Sequence, residues 1–188
     1  FDTETRPSFK KGKRYKVALL QLADADRAWL FRLNMIGLPP ELAGILADKN
    51  IIKTGVAIRD DVKALRSIAP FEPHGFHDLQ SVVADHGIQE LGLKKLTAIV
   101  LGHSISKSQQ VSNWEAPALS EPQQIYAATD AWVCRSIYLA FEKRTYCHYY
   151  FLRIHSNPPF IGPNPKCLWF EKRLPERLHT EDVLPWFE

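Results

Sequence analysis

The sequence predicts a mixed α/β domain, and three features of its apolar pattern carry that prediction. Two short apolar runs near the start are separated by a brief polar link. A third run, Ile51–Ile58, has helical spacing on both sides. From residue 60 onward helical periodicity dominates and is clearest over 121–143. Strands first, then a strand between helices, belong to a mixed sheet carrying helices.

Taken in order, Phe1 to Thr5 reads as the end of a strand. The chain opens on Phe1 rather than Met, as expected of a piece of a longer protein whose first strand begins upstream. Val17–Leu22 and Ala28–Leu33 are apolar runs joined by the polar link Ala23-Asp24-Ala25-Asp26-Arg27, which predicts an antiparallel hairpin. Pro39 and Pro40 suit a helix start, and Leu42, Ile45 and Leu46 give helical spacing over 40–48. Ile51–Ile58 follows as a strand, with Gly55 allowing close approach of another chain segment. Helices are expected at about 60–68, 78–86, 92–101 and 121–143. The last has Ser120 before Glu121 and Pro122, and Ile125, Ala128, Ala131, Trp132 and Ile137 recur on one side.

Composition excludes several classes. The 188 residues are 45% hydrophobic and 24% charged, a globular profile rather than a disordered or collagen-like one. No apolar stretch approaches the ~20 residues of a bilayer span, and no basic-then-apolar start resembles a signal peptide. Three cysteines, Cys134, Cys147 and Cys167, are too few for a disulfide framework, so an intracellular, reducing compartment is expected, cytoplasmic if the source is bacterial. A net charge of +3 does not by itself announce a nucleic-acid partner. Residues 146–188 hold six of the thirteen Pro and nine of the twenty-one aromatic residues. We therefore expect a domain at 1–145 and a Pro/aromatic-rich extension at 146–188.

The acidic residues matter through their placement. Asp2 and Glu4, two apart on a strand, share one face. Side by side they repel unless a cation lies between them, and taken alone the pair reads as a solvated strand end. Tyr126 and Asp130, four apart on a helix, lie one turn apart on one face. They could jointly hold a water, or be a packing tyrosine and a surface acid. Asp60 and Asp61 open a helix, where the macrodipole favours acids without any further role. Taken together, carboxylates from separate elements suit hard cations such as Mg²⁺ or Mn²⁺, which bind through carboxylate and substrate phosphate oxygens.

The segments Phe1-Asp2-Thr3-Glu4, Lys53 to Leu65 and Tyr126-Ala127-Ala128-Thr129-Asp130 resemble the three exonuclease motifs of the DEDD superfamily. The tyrosine four residues before the last Asp marks the DEDDy branch, which includes ribonuclease D and the Werner-type exonucleases. Lys16 to Leu22 resembles the Werner-type second strand. Ser112-Asn113-Trp114, with Leu119-Ser120 and Gln124, resembles the approach to the third motif. The resemblance covers about residues 1–144. It implies a ribonuclease H-like mixed sheet flanked by helices, and a 3′→5′ hydrolysis of a nucleic-acid strand that releases nucleoside monophosphates. It implies two ions, Mg²⁺ or Mn²⁺: Asp2, Glu4 and Asp130 would hold one, Asp2 and Asp61 the other, and Tyr126 would orient the attacking water. Asp61 is preferred to Asp60 because it lies six residues after Gly55 and four before Leu65.

Substrate contacts follow from charge and aromaticity. Lys10-Lys11-Gly12-Lys13-Arg14-Tyr15-Lys16 packs five basic residues into seven positions and could grip phosphates, or be a solvated turn. Trp114, with Lys107 to Asn113 before it, could meet the strand or anchor the loop from within. Asp78 reads as a helix cap. The expected substrate is DNA, single-stranded or 3′-recessed, with a ribonuclease D-like action on RNA as the alternative and an inactive nucleic-acid-binding scaffold as a third reading. In the extension, Cys147, His148, His155, Cys167 and His179 lack the Cys-x-x-Cys pairs of zinc sites, so irregular chain laid over the domain is expected there.

Overall fold

The computed structural model describes residues 1–154 except Lys11 and Lys13. Most of the 146–188 extension, with His155, Cys167 and His179, lies outside the described residues. Strands β1 (Asp2–Thr5), β2 (Val17–Ala23) and β3 (Ala28–Phe31) form an antiparallel sheet in that order. The predicted hairpin is there. Its turn is closed by Asp24, whose Oδ1 accepts from the backbone N–H groups of Asp26 and Arg27, both at 2.7 Å. A short helix α1 (Leu33–Ile36) precedes α2 (Pro40–Ala47), which starts on Pro40 at its first turn as the sequence predicts.

The strand expected over 51–58 is confined to β4 (Lys53–Gly55). Its start is spent in a turn in which the Ile51 N–H donates to Asp48 O, and its end bends into α3 (Arg59–Arg66). A parallel partner that the pattern did not announce, β5 (Phe76–Asp78), pairs with β4. Three residues are too short a run to show alternation. The backbone nitrogen of Phe1 donates to Thr54 O at 2.9 Å, laying β1 beside β4. A Cβ on Gly55 would stand 2.7 Å from Phe1 O and 2.6 Å from Ile58 Cγ2, so the close approach requires glycine.

Asp78 caps α4 (Leu79–Ala84), its Oδ1 accepting from Gln80 N at 2.9 Å and from Ala57 N at 3.1 Å. Ala57 sits at φ 56°, a left-handed conformation that costs an L-residue about 1–2 kcal/mol. Its side chain is exposed, so no packing is lost on truncation. Ala57→Gly is therefore expected to stabilise the fold by about 0.5–1 kcal/mol, once the greater freedom of the unfolded glycine chain is subtracted. Thermal unfolding checks this, and an unchanged or lower midpoint counts against it.

Helices α5 (Leu93–Leu101) and α6 (Glu121–Ile154) complete the domain. Among the described residues no helix is long and apolar enough to cross a membrane. The start of α6 is locked by Gln123, whose Oε1 accepts from Ser120 N at 3.0 Å while Ser120 O accepts from Gln124 N at 3.0 Å. It runs past the expected end at 143 because neither Gly nor Pro intervenes before Pro158. Ala127, Ala128 and Ala131 are all buried. These small residues let α6 lie close on the sheet, where Leu19 of β2 packs with Ala127 and Trp114. The other face of α6 buries Val133, Cys134, Ile137 and Phe141 against α4 and α5.

Candidate active site

Strand β1 and helix α6 bring their acids together. Asp2 and Glu4 pair across the ladder with Gln21 and Leu19, and Leu19 packs toward α6. The two carboxylates therefore face that helix. Asp2, Glu4 and Asp130 each offer an oxygen within 4.8 Å of the others'. Glu4 and Asp130 are 9% and 6% exposed. One turn before Asp130, the Tyr126 hydroxyl donates to its carboxylate. Beneath, the Trp114 ring lies 6.0 Å from the Tyr126 ring, tilted by 39°.

The cluster is electrostatically unfavourable by itself. Burial pushes the Glu4 carboxyl up to about 9, and the charges of Asp2, Asp130 and Asp61 add to the shift. Asp130 rises to about 8, from burial first and Asp2 second, with the Tyr126 hydrogen bond and Lys107 opposing. Asp2 rises to about 6 for the same leading reason, partly offset by the Thr3 N–H that donates to its Oδ1 at 2.8 Å. Tyr126 is raised by burial and by its acidic neighbours, so its phenol stays protonated. Three oxygen donors that cannot ionise together without a counter-charge suit a divalent cation.

Asp61 lies outside the 4.8 Å trio but near enough for its charge to raise Asp2 and Glu4. Asp61 is partly buried and its Oδ1 accepts from Thr3 Oγ1 at 2.5 Å. Its carboxyl is raised, chiefly by burial. Asp60 is exposed. Asp78 acts as a cap.

The residues expected to contact substrate are placed differently. Trp114 is fully buried. It supports Tyr126 from below and offers no face to a ligand, so of the two readings the fold takes the loop anchor that the sequence favoured and corrects the contact with the strand. Lys10 and Arg14 are exposed and do not line the cleft above the acids. Lys11 and Lys13 lie outside the described residues. That cleft, of about 300 Å³, is walled instead by Lys94 and Lys107, with Gln110 beside them. Lys94 carried no sequence signal, since α5 reads as an amphipathic helix with ordinary surface lysines. Thr3, the partner of Asp61, was equally silent.

An α/β domain with carboxylates gathered from its first strand and last helix has the ribonuclease H-like architecture of the DEDD-type 3′-5′ exonucleases. A family model described as 3′-5′ exonuclease matches residues 1–145, and the chain belongs to that family. It is 33% identical over 144 residues to the bifunctional 3′-5′ exonuclease/ATP-dependent helicase WRN of Mus musculus, covering 73% of this chain and 10% of that protein. It is 30% identical over 167 residues to the ribonuclease D of Gluconacetobacter diazotrophicus, covering 84% of this chain and 42% of that protein. The crystal structure of the Aedes aegypti Nibbler EXO domain superimposes with a TM-score of 0.68 at 25% identity, covering 77% of each chain. The chain thus spans less than half the length of either curated relative.

Proposed function

We propose that residues 1–145 form a metal-dependent 3′→5′ exonuclease domain that removes nucleoside monophosphates from a DNA strand, and that 146–188 extend it. The observation that carries this reading is the convergence of Asp2, Glu4 and Asp130 within 4.8 Å. Asp2, Glu4 and Asp130 hold one Mg²⁺ or Mn²⁺, and Asp2 with Asp61 holds a second. Thr3 engages only Oδ1 of Asp61, which leaves Oδ2 for that purpose. Bound divalent ions supply an acidified water and charge neutralisation at the attacking and leaving oxygens.

The chain's own groups do the rest. Tyr126, kept protonated by its acidic neighbours, donates to Asp130 and orients the attacking water through its phenolic oxygen. Lys107 and Lys94 face the acids across the cleft and bind the phosphates of the entering strand. Lys10, Lys11, Lys13 and Arg14 on the β1–β2 loop bind the strand further from its end. An intracellular site of action fits the cysteine content. The similarity to a ribonuclease D favours a second reading, in which the strand is RNA.

The test uses 5′-labelled single-stranded and 3′-recessed DNA, and matching RNA, with Mg²⁺, Mn²⁺ or chelator. A metal-dependent ladder shortening from the 3′ end is expected, stronger on DNA. A stronger ladder on RNA selects the second reading. Binding without cleavage, or cleavage indifferent to chelator, overturns both.

A further inference from the structure

One residue on the site's sheet face finds no partner among the described residues. Gln21 is fully buried, and neither its Nε2 nor its Oε1 makes a hydrogen bond to any of them. Leaving a buried polar group unsatisfied costs about 1–3 kcal/mol, whereas an apolar side chain of the same length would fill the space at no such cost. The surrounding run Val17-Ala18-Leu19-Leu20 is wholly buried and apolar, so the position invites a hydrophobic residue. Its place in the ladder accounts for the exception. Gln21 lies directly across from Asp2, and cross-strand partners share a face with Cβ atoms about 4.5–5.5 Å apart. That span is within reach of a glutamine side chain plus one hydrogen bond. By contrast Glu4, the other acid of β1, lies across from the apolar Leu19.

We propose that Gln21 is a positioning residue for Asp2. Thr3 N fixes one oxygen of that carboxylate, Oδ1, at 2.8 Å. Gln21 Nε2–H, unpartnered in the fold without a cation, would turn to donate to the other oxygen once a cation draws the charge out on Asp2, and would so set the angle at which Asp2 presents itself to that cation. A neutral amide suits this task. A lysine would compete with the cation for the carboxylate, and another acid would add to the repulsion that already raises Glu4 and Asp130. The inference rests on the metal-dependent reading above, and it goes further by assigning a role to a residue that touches neither substrate nor ion.

Gln21→Met keeps length and volume and removes both polar atoms. The metal-free variant is expected to melt no lower than the wild type, because an orphaned amide is gone. Its affinity for Mn²⁺, measured by calorimetric titration without nucleic acid, is expected to fall ~10–100-fold, the usual effect of removing a ligand's hydrogen-bonding partner. A purely structural glutamine predicts the same melting result with unchanged Mn²⁺ affinity, and that outcome overturns the proposal. Wild-type protein that binds no Mn²⁺ overturns the metal-dependent reading itself and the Gln21 role with it. If Gln21→Met does not fold, the wild-type side-chain amide decides by NMR. A Gln21 NH₂ signal that shifts on Mg²⁺ addition supports the role, and one that stays fixed while backbone signals of β1 move refutes it.

Discussion

Asp130→Asn is expected to reduce 3′-end hydrolysis on the order of 10³-fold or more while making the metal-free protein more heat-stable. The two effects have one origin. Asp130 is 6% exposed and stands within 4.8 Å of two other carboxylates, an arrangement useful only to a cation. Removing its charge takes away an ion ligand, and losses of about 10²–10³ already follow removal of a single neutral donor from a reacting centre. The same change relieves like-charge repulsion in a buried site. Asparagine suits this test better than alanine, because its carbonyl still accepts from the Tyr126 hydroxyl that now donates to Asp130. The local packing of Trp114, Tyr126 and Ala127 on Leu19 is then untouched. Since Asp130 ionises only near about 8, the gain in stability should be larger at about pH 9 than at about pH 6. Single-turnover cleavage and thermal unfolding measure the pair. Retained activity would remove Asp130 from the metal site, and an activity loss accompanied by a lower melting point would mean that the aspartate is structural.

What the sequence revealed of this site was local periodicity. Spacings of two on a strand and four on a helix placed Asp2 with Glu4, and Tyr126 with Asp130, on common faces. Helix starts were legible for a similar reason: Pro40, Asp78 and Ser120 are determined by neighbouring backbone groups. Convergence of the two pairs depended on the three buried alanines that bring α6 close to β2, which composition alone cannot specify. Asp61 illustrates the limit more sharply. Its position after Gly55 was readable, but the Thr3 hydroxyl that takes its Oδ1 comes from a strand 58 residues away. Lys94 looked like any surface lysine on an amphipathic helix, and only the fold of the α5–α6 segment sets it with Lys107 opposite the acids. Gln21 was hidden inside an apolar run that reads as an ordinary strand. Its significance is a missing partner, and absence of a partner is a tertiary property. β5 and α1 were too short to show a period, and the end of α6 lacked the Gly or Pro that would mark it.

Divalent cations should stabilise the protein by an amount that grows with pH. In the metal-free fold Glu4 and Asp130 titrate near about 9 and 8, whereas unfolded carboxyls titrate near about 4. Between those limits the native state binds more protons than the unfolded chain, so metal-free stability falls as pH rises from about 5 to about 9. Below about 4 both states are protonated and the penalty is absent. Asp2, at about 6, loses its share earlier in the same window. A cation at the trio takes the place of those protons: near pH 5 it must displace them, and near pH 9 it meets free carboxylates. At a concentration 100-fold above its dissociation constant, a ligand specific for the native state contributes about 2.7 kcal/mol. For a domain of this size that corresponds to a rise of about 5–10 °C in melting temperature. We expect close to that rise with Mg²⁺ at about pH 9, little of it at about pH 5, and a smooth increase between. Asp130→Asn should flatten the dependence, because one of the competing protons is gone. A Mg²⁺ effect independent of pH, or equal in wild type and variant, would place the ion somewhere other than among Asp2, Glu4 and Asp130.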